Sequence, residues 1–166
     1  MISFLKAYKK NDPSIKSYLE VFFLLPGPKA ILFYKIGHTF YRLRLYFLAR
    51  LVAEIGRFLT NIEIHPGAKI GKNFVIDHGT GVVIGETAVV GDDCLLYHGV
   101  TLGGVTADKT GRRHPILHDR VMIGAGAKII GAITLHSDVK VGSGAIVVKD
   151  CPAGVTVVGQ SAQIKV

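Results

Sequence analysis

Residues 84–102 read Ile84-Gly85-Glu86-Thr87-Ala88-Val89-Val90-Gly91-Asp92-Asp93-Cys94-Leu95-Leu96-Tyr97-His98-Gly99-Val100-Thr101-Leu102. An aliphatic residue opens each group of six: Ile84, Val90, Leu96 and Leu102. The fifth residue of each group, Ala88, Cys94 or Val100, is small or branched. A period of six is neither the 3.6 of a helix nor the alternation of a half-buried strand. It fits a triangular coil with three short flat sides, the aliphatics pointing inward and Gly or Asn taking the corners.

The pattern extends both ways. Upstream stand Ile64, Ile70 and Ile76, offset by a two-residue insertion around Thr80-Gly81. Downstream, after a gap, come Leu117, Ile123, Ile129, Leu135, Val141 and Val147. Ala68, Thr80, Val121, Ala127, Ile133, Val139 and Ala145 keep the fifth position, with Phe74 the exception. Thirteen aliphatics in phase exclude an ordinary strand-rich domain with chance spacing. Three sixes make a coil, so residues 64–147 predict a parallel β-helix of about four coils, each bonded to its neighbours. The stretch GGVTADKTGRRHPI fills the gap, and an insertion in a solenoid maps to a projecting loop, often the functional one. The expected organisation is a helical region, 1–60, and a β-helix, 61–166, with a loop at about 104–115 and a C-terminal tail. The fold class is mainly β.

In the first sixty residues, Asp12-Pro13 reads as a helix start and Pro26-Gly27-Pro28 as a turn. From Lys29 to about Leu59, apolar residues recur at helical spacing over a wide face. Such a helix is covered on more than one side, by the second half, another subunit or both.

Composition narrows the classes. Nearly half the 166 residues are hydrophobic (49%), which excludes a disordered chain. The net charge of +8 favours anionic partners, but the basic residues are spread along the chain and select none. Two cysteines without a CxxC fit a reducing cytosol, so a cytoplasmic location is expected. The N-terminus lacks the apolar core and cleavage site of a signal peptide. Charged residues interrupt the most apolar stretch, 31–55, so no membrane span is expected.

Several segments share their order with one family: Glu63-Ile64-His65-Pro66-Gly67-Ala68, Ile76-Asp77-His78-Gly79-Thr80-Gly81, Ile84-Gly85-Glu86-Thr87-Ala88, Gly99-Val100-Thr101-Leu102-Gly103-Gly104, Arg113-His114-Pro115 and Ile123-Gly124-Ala125-Gly126-Ala127. With Asp12-Pro13 and Tyr34-Lys35-Ile36-Gly37-His38, they resemble the hexapeptide-repeat acyltransferases, and within them the serine O-acetyltransferases of short form. The hexapeptides alone specify a fold; the ordered DH-GTG, GVTLGG and RHP set specifies the subfamily. The resemblance implies a left-handed β-helix and transfer of acetyl from acetyl-CoA to L-serine, giving O-acetyl-L-serine for cysteine biosynthesis. Acetyl-CoA is then a co-substrate, with no permanently bound cofactor, no metal and no nucleic-acid partner.

Acetyl transfer to an alcohol needs a base for the hydroxyl proton. The family match makes His78 that base; its plain alternative is a solvated turn histidine. A histidine base needs a carboxylate to hold its tautomer. Glu63, fifteen residues earlier and so near the same edge one coil below, stands where the family has an acidic residue, often Asp. Asp12 and Asp77 match positions that bind the substrate ammonium group, and each has a capping role as its alternative. Arg113 and His114 match those that bind its carboxylate, for which a planar guanidinium fork is suited. Gly104, Ala125 and Ser143 match cofactor contacts, and Lys109, Lys128, Lys140 and Lys149 are candidates for its phosphates. The family implies a homotrimer, or a dimer of trimers, with serine bound between subunits. Members that dock cysteine synthase do so through a C-terminal Ile; Val166 after Lys165 weakens that expectation. His98 stands where Gln is usual.

Two rivals share the fold. One is transfer to another alcohol, an antibiotic or a sugar; those relatives generally lack the Asp77-His78 and Arg113-His114 set. The other is a zinc carbonic anhydrase, which needs three converging histidines; His65, His98, His114, His118 and His136 lack the expected spacing.

Overall fold

The computed structural model describes residues 2–105 and 111–160. Lys109 and the terminal residues 161–166 lie outside them. Four helices come first: α1 (Ile2–Asn11), α2 (Tyr18–Phe23), α3 (Pro26–Arg42) and α4 (Tyr46–Thr60). Short strands follow: β1 (Glu63–Ile64), β2 (Lys69–Ile70), β3 (Val75–Asp77), β4 (Val83–Ile84), β5 (Val89–Val90), β6 (Leu95–Tyr97) and β7 (Thr101–Gly103). Beyond the loop come β8 (Ile116–Leu117), β9 (Met122–Ile123), β10 (Lys128–Ile130), β11 (Thr134–Leu135), β12 (Lys140–Val141), β13 (Ile146–Val147) and β14 (Thr156–Val157).

All strand pairs are parallel and form three faces. The first is β1-β4-β7-β10-β13, the second β2-β5-β8-β11, the third β3-β6-β9-β12-β14. The register follows the repeat. Ile64 pairs with Ile84, which pairs with Leu102, then Ile129, then Val147. Every one of the thirteen aliphatics is buried except Ile70, which is half-buried. Phe74 is buried in one cluster with Ala30, Ile31 and Tyr34 of α3. A large side chain fits there because the helices close that end of the solenoid.

The solenoid runs past the predicted end. Cys151 bridges to Leu135 and β14 pairs with β12. The repeat hides this because the last coil is two residues shorter: Val157 pairs with Val141, sixteen residues back, where Val147 and Ile129 are eighteen apart.

Three helical readings need correction. Asp12 does not start a helix; it follows α1, and its carboxylate accepts from the Ser14 amide and hydroxyl. The cap of α2 is Ser17, whose side chain accepts from the Glu20 amide. Pro26-Gly27-Pro28 is not a turn between helices but the first turn of α3, where missing N–H groups cost nothing. The run from Lys29 to Leu59 is two helices, broken where Arg44 takes a left-handed φ of 62°. Glycines let α3 and α4 approach: Gly37 lies against the Ala49 carbonyl and Gly56 against the Phe33 ring. Much of α2 and α4 remains apolar and exposed, including Phe23, Phe47, Phe58 and Leu59.

Candidate active site

The two-residue insertion falls at His78-Gly79, just ahead of the predicted Thr80-Gly81, because Asp77 pairs with Tyr97 and Thr80 aligns with His98. His78 follows β3 there with φ of 58°, and Gly79 continues at 79°. Left-handed backbone is uncommon for a side chain, and His is among the residues that tolerate it. The bend turns the imidazole outward, with 72% of the side chain exposed. Asp77 closes β3, and its Oδ2 lies 3.9 Å from His78 Nε2. Tyr8 of α1 is buried, and its hydroxyl accepts from the Ile76 amide at 3.1 Å, which docks α1 onto β3. Asp12, at the end of α1, is thereby brought to His78. The Ser14 hydroxyl, then the Ser14 amide and the His78 charge hold its carboxyl below the usual carboxylate range.

The corner above His78 is a column of glycines, Gly81, Gly99, Gly126 and Gly144, with φ of 74°, 68°, 71° and 69°. Each amide donates to the coil below, to the carbonyls of Asn61, Thr80, His98 and Ala125 in turn. Ala125 and Ser143 therefore stand in the column that includes His98, whose ring centroid is 6.0 Å from that of His78. Lys128 Nζ is engaged here, donating to the Gly99 carbonyl at 2.6 Å and the Thr101 hydroxyl at 3.1 Å. Lys140 and Lys149 are exposed.

Arg113 and His114 sit at a different corner, between the first and second faces. His114 is buried (7% exposed) over Gly85, where any side chain would collide with its ring. Thr87 organises the pair. Its hydroxyl accepts from the Arg113 and His114 amides, each at 3.1 Å, and lies 2.8 Å from His114 Nδ1. The Thr87 amide also donates to Nδ1, at 3.2 Å. Burial, then the Arg113 charge, lowers the His114 pKa, against the pull of Glu86. Arg113 Nη2 is 3.2 Å from Glu86 Oε2, and Tyr41 of α3 donates to Glu86 Oε1 at 3.0 Å. Burial would raise the Glu86 pKa, but Tyr41, His65 and Arg113 together bring it below the ordinary value. Gly104 borders this cluster, close to Arg113 and His114 Nε2.

The predicted residues thus fall into two groups. Asp12, Asp77, His78, Ala125 and Ser143 share the glycine corner; Arg113, His114 and Gly104 share the next. The five-stranded first face separates them. Glu63 opens β1 at the glycine corner, but among the described residues no ion pair joins it to His78. A depression of about 470 Å³ between α3 and the first coil, lined by Phe4, Tyr34, Phe74 and Asp92 among others, includes neither His78 nor Arg113. Cys94 is core, its thiol pushed up to about 11 by burial. Among the described residues, no group of three or more His, Cys, Asp or Glu side chains could hold a metal. No described helix is long and apolar enough to cross a membrane. Sequence reading assigned Glu86 and Thr87 no role, although both stand in a quoted motif. Tyr41 carried no local signal, since its partner is 45 residues away.

No protein-family model matches the chain. It is 52% identical over 154 residues to a serine acetyltransferase of Helicobacter pylori, covering 93% of this chain and 90% of the relative. A Mycobacterium tuberculosis serine acetyltransferase is 48% identical over 160 residues, covering 96% and 69%. Among solved structures, serine acetyltransferase isoform 3 of Entamoeba histolytica in complex with cysteine superposes with a TM-score of 0.93 at 36% identity, over 99% of this chain and 58% of that one. The Neisseria gonorrhoeae serine acetyltransferase in complex with serine gives 0.90 at 40%, over 98% and 66%. The Brucella abortus serine acetyltransferase in complex with coenzyme A gives 0.91 at 37%, over 97% and 64%. The chain thus spans under two thirds of these crystallised proteins but nine tenths of the Helicobacter relative.

Proposed function

The chain belongs to the serine acetyltransferase family, and from that premise we propose that it moves the acetyl group of acetyl-CoA to the hydroxyl of L-serine with His78 as general base. His78 takes the hydroxyl proton as the serine oxygen attacks the thioester carbon. The C–S bond then breaks, and the proton passes from His78 to the departing CoA thiolate. Asp12 and Asp77 face the ammonium group, and Arg113 and His114 the carboxylate. Glu63, at the His78 corner, is the orienting carboxylate. Gly104, Ala125 and Ser143 line the acetyl-CoA path. Transfer is direct: both thiols are buried and pushed up in pKa, the opposite of an activated nucleophile.

The observation that carries this reading is the pair of clusters on two corners flanking one face. A substrate bound at His78 of one chain needs the Arg113 corner of another. We therefore infer a homotrimer with three shared sites. Apolar side chains left exposed on α2 and α4 suit burial against further copies, within the trimer or between two trimers. Two unpaired cysteines suit a cytoplasmic location.

The test is CoA release from acetyl-CoA with L-serine by wild type and His78→Ala. The variant is expected to lose about 10²- to 10⁴-fold in kcat. Activity that survives the change removes His78 as base. A wild type inactive with L-serine but active with another alcohol moves the acceptor to an antibiotic or sugar.

A further inference from the structure

We propose that Glu86 and Thr87 are the positioning residues of the carboxylate clamp, Glu86 aiming the Arg113 guanidinium and Thr87 fixing the tautomer through which His114 donates. This rests on the assignment of Arg113 and His114 to the acceptor carboxylate.

A guanidinium grips a carboxylate through two parallel donors, so its orientation decides the strength of the grip. Arg113 sits on the projecting loop, and a long side chain there loses rotamer freedom when it binds. Glu86, on the coil below, holds one end of the fork through Nη2 at 3.2 Å. The carboxylate is itself held, because Tyr41 of α3 occupies its other oxygen at 3.0 Å. A rigid helix thus sets a coil residue, which sets a loop residue. The lowered Glu86 pKa keeps that carboxylate charged at neutral pH.

Thr87 acts on the neighbouring residue. A backbone amide can only donate, so the 3.2 Å contact from Thr87 N makes His114 Nδ1 an acceptor. The Thr87 hydroxyl accepts two backbone amides and has its own proton free for the same nitrogen. The imidazole proton must then sit on Nε2, which faces Gly85 and Gly104. Lowered basicity keeps the ring neutral. His114 is therefore a one-proton donor through Nε2, which is what a carboxylate needs from it.

Steady-state kinetics on Glu86→Gln, Tyr41→Phe, Thr87→Val and Thr87→Ser test both halves. Glu86→Gln is expected to raise the KM for L-serine about tenfold, the scale of one lost charged hydrogen bond. Its kcat stays within about twofold, since the clamp does not touch the base. Tyr41→Phe gives a smaller rise of the same kind. Thr87→Val raises the serine KM and Thr87→Ser restores it. Long-range proton–nitrogen spectra of the wild type should show His114 Nδ1 bare and Nε2 protonated. An unchanged serine KM in Glu86→Gln overturns the proposal, and so does a lower one, which would mean that Glu86 competes with the substrate. A proton on Nδ1 overturns the Thr87 half. A wild type without serine-dependent CoA release refutes the acceptor assignment instead, a result the variants cannot mimic.

Discussion

Two corners of the solenoid use the same left-handed turn and fill it differently. Between the second and third faces, Asn73, Asp93, Arg120 and Asp138 take φ of 53°, 57°, 59° and 65°. Their side chains tie the coils together: Asn73 donates to Asp93 at 2.9 Å, and Arg120 grips Asp138 through two bonds at 2.7 and 2.8 Å. Between the third and first faces the equivalent turn is glycine in four successive coils, and the column begins beside His78. A Cβ at Gly126 or Gly144 would meet none of the described residues within 4 Å, so their packing does not require glycine there. The backbone conformation is common to both corners, and bareness is particular to one. A bare corner lets an extended ligand lie against backbone amides and carbonyls, as an added strand would. The side-chain ladder ties the coils together, and the glycine column leaves its corner bare.

The strongest contrast comes from replacing one side chain at each corner. His78→Ala should abolish nearly all turnover, whereas Asp93→Gly should leave kcat and both KM values as in the wild type. Loss of activity in Asp93→Gly would erase the distinction between the corners.

Gly126→Ala sharpens it. Left-handed alanine costs about 1–2 kcal/mol, and none of the described residues collides with the new methyl group. The melting temperature should therefore fall by only a few degrees. If the corner is a ligand path, the KM for acetyl-CoA rises several-fold while the serine KM holds. An unchanged acetyl-CoA KM would leave the glycines with no role in access.

Acid should weaken the fold in a defined window. Burial holds both His65 and His114 below the ordinary imidazole pKa. Below about pH 6.5 the unfolded chain binds protons that the folded chain refuses. Stability is full above that value and declines as pH falls toward the folded pKa values. A melting temperature that is flat between pH 7 and 5 would contradict the neutral state of these rings in the folded chain. The smallest effect belongs to the ladder: Asp138→Asn breaks an exposed pair and should barely move the melting temperature, less still at high salt.

The solenoid was legible because one inward aliphatic per six residues is a repeated, local demand. Ile84, Val90, Leu96 and Leu102 state it without reference to anything distant. The last coil was missed because two residues are absent between Val147 and Cys151, which breaks the phase while the pairing persists. The helices were read less well. Whether Pro26 ends a helix or opens one depends on what precedes it, and the break at Arg44 leaves no Pro or Gly to mark it. At the site, Asp77-His78 and Arg113-His114 stood out as interruptions of the period. Glu86, Thr87 and Tyr41 did not, since their meaning lies in contacts 26 to 45 residues apart.

The central claim is that each working site joins the His78 corner of one subunit to the Arg113 corner of the next. Coexpression of His78→Ala with Arg113→Ala chains tests it most directly, because each homotrimer alone lacks one half of every site. In a random mixture about a quarter of the interfaces pair an intact His78 with an intact Arg113, so serine-dependent CoA release should return to about a quarter of wild type. A mixture as inactive as its parents would place the whole site within a single chain and contradict the account.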